Sequence, residues 1–367
     1  MTYKAAVIGL GRMGSTFDDE ITQGGSIFLP FCHGPSYNAH PQIDLIAGAD
    51  PHDEQRNLFG QRWGLNEDQL YTDHKELLAK AKPDIVSVTT TARHRPQIVL
   101  DAVEAGVKAI WAEKPLAFSL EEADTMVSAC EENGITLAVN CSRRYNTYFS
   151  QTRQMIESGD LGDILQITAY TQCGLSHNGS HAIDTIRYLA GSHVSWVFGE
   201  MESDAKAQSD DDLMGNGYLV FENGTRAFMR GTQTGTASWE FDIIGTKGRV
   251  RSGANGADFE YLQNVEGGLR GRGVPARSPF PQPARPEGQG ITVISDLIEA
   301  IENNRPARCS GSDGRAALEV AIALRESHRQ GGVRINLPIE DRTLKILSSE
   351  TQADHTPARV RRLQAQS

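Results

Sequence analysis

The amino-acid sequence predicts an α/β fold in two parts, a doubly wound parallel sheet followed by a second α/β domain built on a mainly antiparallel sheet. Three observations carry this. The chain opens on an apolar run that enters a glycine turn, YKAAVIGLGRMG from Tyr3 to Gly14. Strand-like runs then alternate with helix-like stretches as far as Asn140, and from Asp163 strand-like runs follow one another directly. With 367 residues, 39% of them hydrophobic, there is chain enough for two domains with their own cores.

Ala5 to Leu10 has the continuous apolar character of a parallel strand covered on both faces. Gly9, Gly11 and Gly14 then form G-x-G-x-x-G, with Arg12 and Met13 between the last two. In such a turn Gly9 bends the chain, Gly11 lets the backbone approach a pyrophosphate, and Gly14 lets a helix pack closely with its N-terminus toward the anion. The motif alone is weak; its place directly after a strand strengthens it. The second strand, QIDLIAGAD, ends at Asp50, well beyond the roughly 20 residues usual after the motif. An extra loop is therefore expected over residues 17–31 before GPSYNAHP resumes a helix. Asp50 would accept from the adenosine ribose hydroxyls and repel a 2′-phosphate, which favours NAD while leaving NADP possible through Arg56.

DIVSVTT (84–90), VKAIWAE (107–113) and ITLAVN (135–140) read as further buried strands. HRPQIVLDAVEAG and LEEADTMVSACEENG read as helices closed by Gly106 and Gly134. Ligands of such sheets lie at the carboxyl ends of the strands. Gly9 to Gly14, Asp50, Thr90, His94, Glu113, Lys114 and Arg143 are accordingly the expected cofactor set. Residues 1–145 form the first domain and 146–350 the second, with 351–367 as a flexible tail. Within the second, Asn223-Gly224 marks a tight hairpin and 245–248 another, one helix spans about Ser180 to Leu189, and Gly253 to Gly290 reads as a long irregular loop. Two helices, ITVISDLIEAIENN and GRAALEVAIALRESHRQ, come after it.

A net charge of −11 argues against nucleic acid or an anionic membrane surface and for a small-molecule partner. The five cysteines lack C-x-x-C spacing, which suggests neither a disulfide framework nor zinc. No run of about 18 apolar residues and no signal-type start appears, so the expected location is the cytoplasm.

Two stretches carry chemistry. Lys114 follows a strand at the carboxyl edge of the parallel sheet, where a partly desolvated ammonium would donate to a reacting oxygen; taken alone, such a lysine is more often a solvated charge. HNGSHAIDTIRYLAG places His177 and Asn178 before a helix whose expected N-cap is Ser180, and His181 in its first turn. The positive helix end would favour a neutral ring there, suited to a general base. Asp184, one turn on, would orient that ring, bind a substrate hydroxyl, or merely answer the helix dipole. His177, His181 and Asp184 also have metal-like spacing, although His177 precedes the cap, and no metal is assigned. Tyr170 is a further candidate for the substrate pocket.

Taken together, AVIGLGRMG, the TTTARH stretch ending at His94, AEKPLA around Lys114, Ser142-Arg143-Arg144-Tyr145, SGDLGDI, the His-x-x-Asp of His181 and Asp184, and DGRAALEVAIALRES resemble the glucose-fructose oxidoreductase, inositol dehydrogenase and MocA-type family over nearly the whole chain. The resemblance implies a Rossmann domain plus an α/β domain with a large open sheet that commonly forms homo-oligomer contacts. It implies NAD(P)-linked oxidation or reduction of a sugar, cyclitol or derivative, Lys114 as catalytic lysine, a Lys114-Pro115 bond often cis in relatives, and His181 as acid/base. One departure is His177, where many relatives carry aspartate. Two alternatives stand beside a dehydrogenase: an NAD-dependent redox-assisted glycosidase, and a non-catalytic NAD-binding sensor.

Overall fold

The computed structural model describes residues 2–21, 25–232, 234, 236, 239–268, 273–283 and 287–348. The chain divides into two compact units, one built from the residues up to Asn140 with Glu287–Arg315, the other from Cys141–Pro286 with Ala316–Ser348.

In the first unit strands and helices alternate: β1 (Tyr3–Ile8), α1 (His33–Ala39), β2 (Ile43–Ala49), α2 (Asp53–Trp63), β3 (Leu70–Tyr71), α3 (His74–Ala81), β4 (Ile85–Val88), α4 (Arg95–Glu104), β5 (Ala109–Ala112), α5 (Leu120–Glu132) and β6 (Thr136–Val139). The sheet order is β3-β2-β1-β4-β5-β6 and every pairing is parallel. Ala5 to Ile8, Ile85 to Val88 and Ala109 to Ala112 are buried throughout, as strands covered on both faces must be. Gly106 and Gly134 take the left-handed conformation that closes α4 and α5 (φ 74° and 65°). The order reverses between β1 and β4, and at that switch point the crevice of such a sheet opens.

The glycine motif predicts a helix straight after Gly14. The chain instead makes one wide turn, Arg12–Thr16, then a 3₁₀ turn, Phe17–Glu20, and the first α-helix begins only at His33. The additional loop is pinned rather than loose in its described part. Glu20 receives both arms of Arg12 (2.7 and 2.8 Å), Asp19 receives Arg62 (2.7 and 2.8 Å), and Asp18 accepts the Phe31 and Cys32 amides (3.0 and 3.1 Å).

The second unit contains α6 (Thr147–Glu157), β7 (Ile164–Thr171), α7 (Gly179–Ala190), β8 (Val194–Met201), α8 (Asp204–Ala207), β9 (Gly215–Phe221), β10 (Arg226–Gly231), β11 (Glu240–Gly245), β12 (Gly248–Gly253), β13 (Asp258–Val265) and β14 (Val274–Ser278). The chain returns to the first unit with α9 (Gln289–Asn303), runs through α10 (Gly311–Arg329), inside which the division falls, and adds β15 (Ile335–Asn336) to the second. The nine strands lie in the order β14-β13-β12-β11-β7-β10-β9-β8-β15, antiparallel except for β10 with β7.

Three expectations change. Gly253 to Gly290, read as an irregular loop, holds β14 at the sheet edge and β13 beside it; both have few buried side chains, so no apolar alternation marks them. Their register is held by opposite charges, with Glu260 facing Arg251 and bonded to Arg277. Glu287–Arg315, counted with the second domain, clusters with the first unit. The helix expected to be capped at Ser180 is capped earlier in the chain, at Asn178. The tail at 351–367 and parts of both loops (22–24, 269–272, 284–286) lie outside the described residues.

The pleat gives the second sheet two unlike faces. Ile167, Ala169, Ala227, Met229, Phe241 and Ile243 are buried on one. On that face α6 sets Phe149 edge-on to Phe241 (5.5 Å), and α7 begins so close to Met229 that a Cβ on Gly179 would lie 3.5 Å from its methyl. The other face shows Tyr170, Phe198 and Phe228, each more than a third exposed, with Tyr218 packed on Phe228 (4.9 Å) and Trp196 on Tyr218 (5.6 Å).

Candidate active site

The glycine turn in the first unit has the three properties a dinucleotide needs. Gly9 sits at φ 94°, and a Cβ there would press on Thr89 and Thr90 at 3.0 Å. A Cβ on Gly14 would meet the Gly9 carbonyl oxygen at 2.2 Å, so only glycine lets the turn close onto the strand. Gly11 is the opposite case, with nothing within 4 Å of the added atom: its face is open. Beside Gly9 the Thr90 hydroxyl oxygen is buried without a hydrogen-bond partner, as a group awaiting a ligand would be. The residues fit a bound NAD.

Other members of the expected cofactor set are already engaged. Asp50, nearly buried, accepts the Leu10 amide through Oδ2 (2.9 Å) and the His52 amide through Oδ1 (2.9 Å), tying the end of β2 to the glycine turn. Arg56 donates to the Asp50 carbonyl (2.6 Å) and pairs with Asp53. Arg12 holds Glu20 and lies over the Phe17 ring (4.5 Å), with Met13 half-buried beside it. His94 is exposed as the N-cap of α4, and Arg95, one residue on, is buried and donates to the carbonyls of Thr90 and Pro115.

Lys114 lies two residues past the end of β5, and the Lys114–Pro115 peptide is cis. Glu113, expected to bind cofactor, instead turns into the protein and is 4% exposed. Its Oε1 meets His33 Nε2 (3.2 Å) and accepts from Asn140 Nδ2 (2.6 Å); its Oε2 accepts the Lys114 amide (3.2 Å). His33 is fully buried, stacked on Trp111 (3.6 Å), with Nδ1 2.8 Å from the Ser87 hydroxyl, which is itself 2.8 Å from the Tyr37 hydroxyl. Burial alone would push the Glu113 carboxyl up, but His33, Lys114 and Asn140 hold it well below the usual carboxylate range. Burial pushes His33 down, against the pull of Glu113, so its ring is neutral. Sequence reading missed this cluster because His33 is 54 residues from Ser87 and 80 from Glu113, and no local pattern joins them.

In the second unit His181 is the third residue of α7, half-buried, its ring 6.2 Å from Trp239 and edge-on. The Thr185 hydroxyl donates to the His181 carbonyl (2.7 Å) and the His181 amide to the Asn178 carbonyl (3.0 Å), fixing the helix start. The loop before it is clamped by Asp212, which takes the Ser176 and His177 amides (2.8 and 2.7 Å); His177 itself is exposed. Nothing near Asp212 in sequence marks it for this task.

Two candidates in this unit are corrected. Asp184 is fully buried and grips Arg144 through three bonds of 2.8–3.1 Å, tying the 3₁₀ turn at Ser142–Tyr145 to α7. The bonds seen for the carboxylate thus serve a structural tie, where the sequence set it to orient the His181 ring or bind a substrate hydroxyl. Tyr170 lies on the sheet face opposite α7, because it alternates with Ala169, so it is removed from the pocket that His181 would serve. Arg143 is buried, donates to Asn255 (2.6 Å) and stacks on Trp239 (4.4 Å); burial lowers its pKa to about 10, which leaves it charged at neutral pH.

Comparison with known proteins agrees with this architecture. Residues 3–141 match the oxidoreductase family model for the NAD-binding Rossmann fold, and residues 153–337 match the model for the C-terminal α/β domain of the same family. The chain is 32% identical to D-apiose dehydrogenase of Paraburkholderia graminis over 84% of its own length and 85% of that protein's. It is 22% identical to the NAD-linked scyllo-inositol 2-dehydrogenase of Bacillus subtilis over 89% and 94%. The aldose-aldose oxidoreductase of Caulobacter crescentus, solved with glycerol, shares the fold at a TM-score of 0.73 and 19% identity, covering 92% of this chain and all of that one. The chain thus belongs to the Gfo/Idh/MocA oxidoreductase family and is an NAD-dependent dehydrogenase acting on CH–OH groups.

Proposed function

We propose that the enzyme moves a hydride between NAD and a secondary hydroxyl of a cyclitol, sugar or sugar derivative, with Lys114 and His181 as the reacting side chains and His177 and Asn178 at the substrate. The observation that carries this is Lys114 at the carboxyl end of β5, in the same sheet as an open glycine turn and an unsatisfied threonine hydroxyl. The named relatives, which act on inositol and apiose, support the substrate class.

NAD, when bound, supplies the hydride acceptor. The chain's own part is proton and charge. His181 takes the hydroxyl proton, and Lys114 donates a hydrogen bond to the oxygen as it gains carbonyl character; reduction reverses both. This requires the Lys114 amine and the His181 ring to serve one substrate carbon.

The test is a panel of cyclitols, pentoses, hexoses and aminosugars with NAD, followed at 340 nm. Lys114→Ala or His181→Ala should lower kcat by about 100-fold or more with NAD affinity largely kept. Native turnover in both variants removes the assignment. Turnover without net NADH would indicate the redox-assisted glycosidase, and tight NAD binding with no turnover the sensor. The exposed aromatic face around Phe198, Tyr218 and Phe228 supports a homo-oligomer through the open sheet. Phe228→Asp should then lower the mass measured by light scattering.

A further inference from the structure

The Glu113 cluster is more elaborate than packing requires. A carboxylate that is 4% exposed has, as its direct side-chain partners, a neutral imidazole and an amide, neither of which cancels its charge. With a neutral ring, Nε2–H donates to Glu113; Nδ1 lies 2.8 Å from the Ser87 hydroxyl, Ser87 is bonded in turn to the Tyr37 hydroxyl at 2.8 Å, and Trp111 stacks on the ring. Tyr37 is wholly buried, so the row ends inside the protein and is no path for protons. Its output is a fixed negative charge at the end of β5, one residue before the lysine.

We propose that His33 and Asn140 are positioning residues: their two hydrogen bonds fix the Glu113 carboxylate, and that fixed anion holds Lys114 in its charged, donating form. The chemical use of this rests on Lys114 being the catalytic amine; the electrostatic claim does not. Other charges face the cluster from the elements around it. Arg95 of α4 and Asp18 of the additional loop act on His33 with opposite signs, and Arg12 of the glycine turn faces Glu113. Each of these has a partner of its own: Arg95 the Thr90 and Pro115 carbonyls, Asp18 the Phe31 and Cys32 amides, Arg12 the Glu20 carboxylate. Lys114 is the charge next in the chain, bonded through its own amide to the same carboxylate.

The experiment titrates the lysine directly. The lysines of the full chain are reductively methylated with ¹³C, and the Lys114 signal is assigned by its absence from Lys114→Arg. In Glu113→Gln, which keeps shape and removes charge, the Lys114 midpoint should fall by about one pH unit or more. His33→Phe, which keeps the stack on Trp111 and removes the donor, should shift it the same way, while His33→Gln, which can still donate to Glu113, should stay near the native value. If Glu113→Gln does not fold, the two His33 variants decide alone. A native midpoint in Glu113→Gln, or in His33→Phe with Glu113 intact, overturns the proposal. If Lys114→Ala turns over at the native rate, the catalytic reading fails while the midpoints still judge the electrostatic one. With both standing, kcat of Glu113→Gln falls at nearly constant KM and the pH profile moves with the Lys114 midpoint.

Discussion

Asp184 and Glu113 are both buried carboxylates close to the histidine or lysine on which turnover is proposed to depend, and the two units neutralise them differently. Asp184 lies against Arg144, a guanidinium that stays charged and spends three hydrogen bonds on it. That pair is closed and holds a turn to a helix. Glu113 has a neutral ring and an amide, so part of its charge is left to act on the neighbouring lysine. The same buried group is thus a tie where its partner is a permanent cation and an electrostatic source where its partners are dipoles.

The sharpest way to break that comparison is Arg144→Met. It takes three hydrogen bonds from a fully buried carboxylate, with Arg187 still 3.9 Å away, and the expected loss is about 3 kcal/mol in urea unfolding. Replacing both partners, Arg144→Met with Asp184→Leu, should recover much of it. A neutral single variant would show that Asp184 is less dependent on its arginine than its burial implies.

The next effect tests the glycine turn within the first unit. Gly14→Ala forces a methyl onto the Gly9 carbonyl and should cost about 1–3 kcal/mol as well as NAD affinity. Gly11→Ala meets nothing, so thermal unfolding without cofactor should stay near native while NAD binding by calorimetry weakens. Equal losses of stability in the two variants would contradict the division of roles.

Much of the first unit was legible because its signals are local. Buried strands read as apolar runs, helices ended at Gly106 and Gly134, and the glycine motif stood where a strand stopped. The residues that decide the electrostatics were not legible, since His33, Ser87, Glu113 and Asn140 come from separate stretches and meet only when parallel strands line up their carboxyl ends. Asp184 was recognised as important and given the wrong task, because its distance in sequence from His181 is visible and the approach of Arg144 is not. Tyr170 failed for a different reason: one residue of register decides which face of a strand a side chain takes. The strands β13 and β14 were hidden because strands near a sheet edge that are held by charge pairs carry no hydrophobic alternation.

A further difference lies in pH. Burial depresses His33 below the ordinary histidine value, so the unfolded chain takes up a proton near pH 6.5, roughly, that the folded ring refuses. Stability is therefore lost as pH falls below that point. For Glu113, burial pushes up and is outweighed by His33, Lys114 and Asn140; its depressed value contributes stability above the unfolded carboxylate range, roughly pH 4.3, that is lost on further acidification. Thermal midpoints between about pH 7 and about pH 5 should fall for the native chain and fall less for His33→Gln. A native slope in that variant would place the acid sensitivity elsewhere.

The smallest effect isolates what burial contributes to an arginine–carboxylate pair. Arg12 holds Glu20 through Nε and Nη2 at 2.7 and 2.8 Å, the same nitrogens that Arg144 uses on Asp184, but the Arg12 side chain is 47% exposed against 9% for Arg144. Water screens the first pair and already solvates both partners when they separate, so Glu20→Gln should change stability by less than about 1 kcal/mol. It should, however, release Arg12 beside the open face of Gly11, and NAD binding measured by calorimetry should tighten as that guanidinium gains freedom to meet a pyrophosphate. Unchanged affinity would confine Arg12 to fastening the additional loop, and a loss of several kcal/mol would mean that geometry rather than burial sets the worth of these pairs.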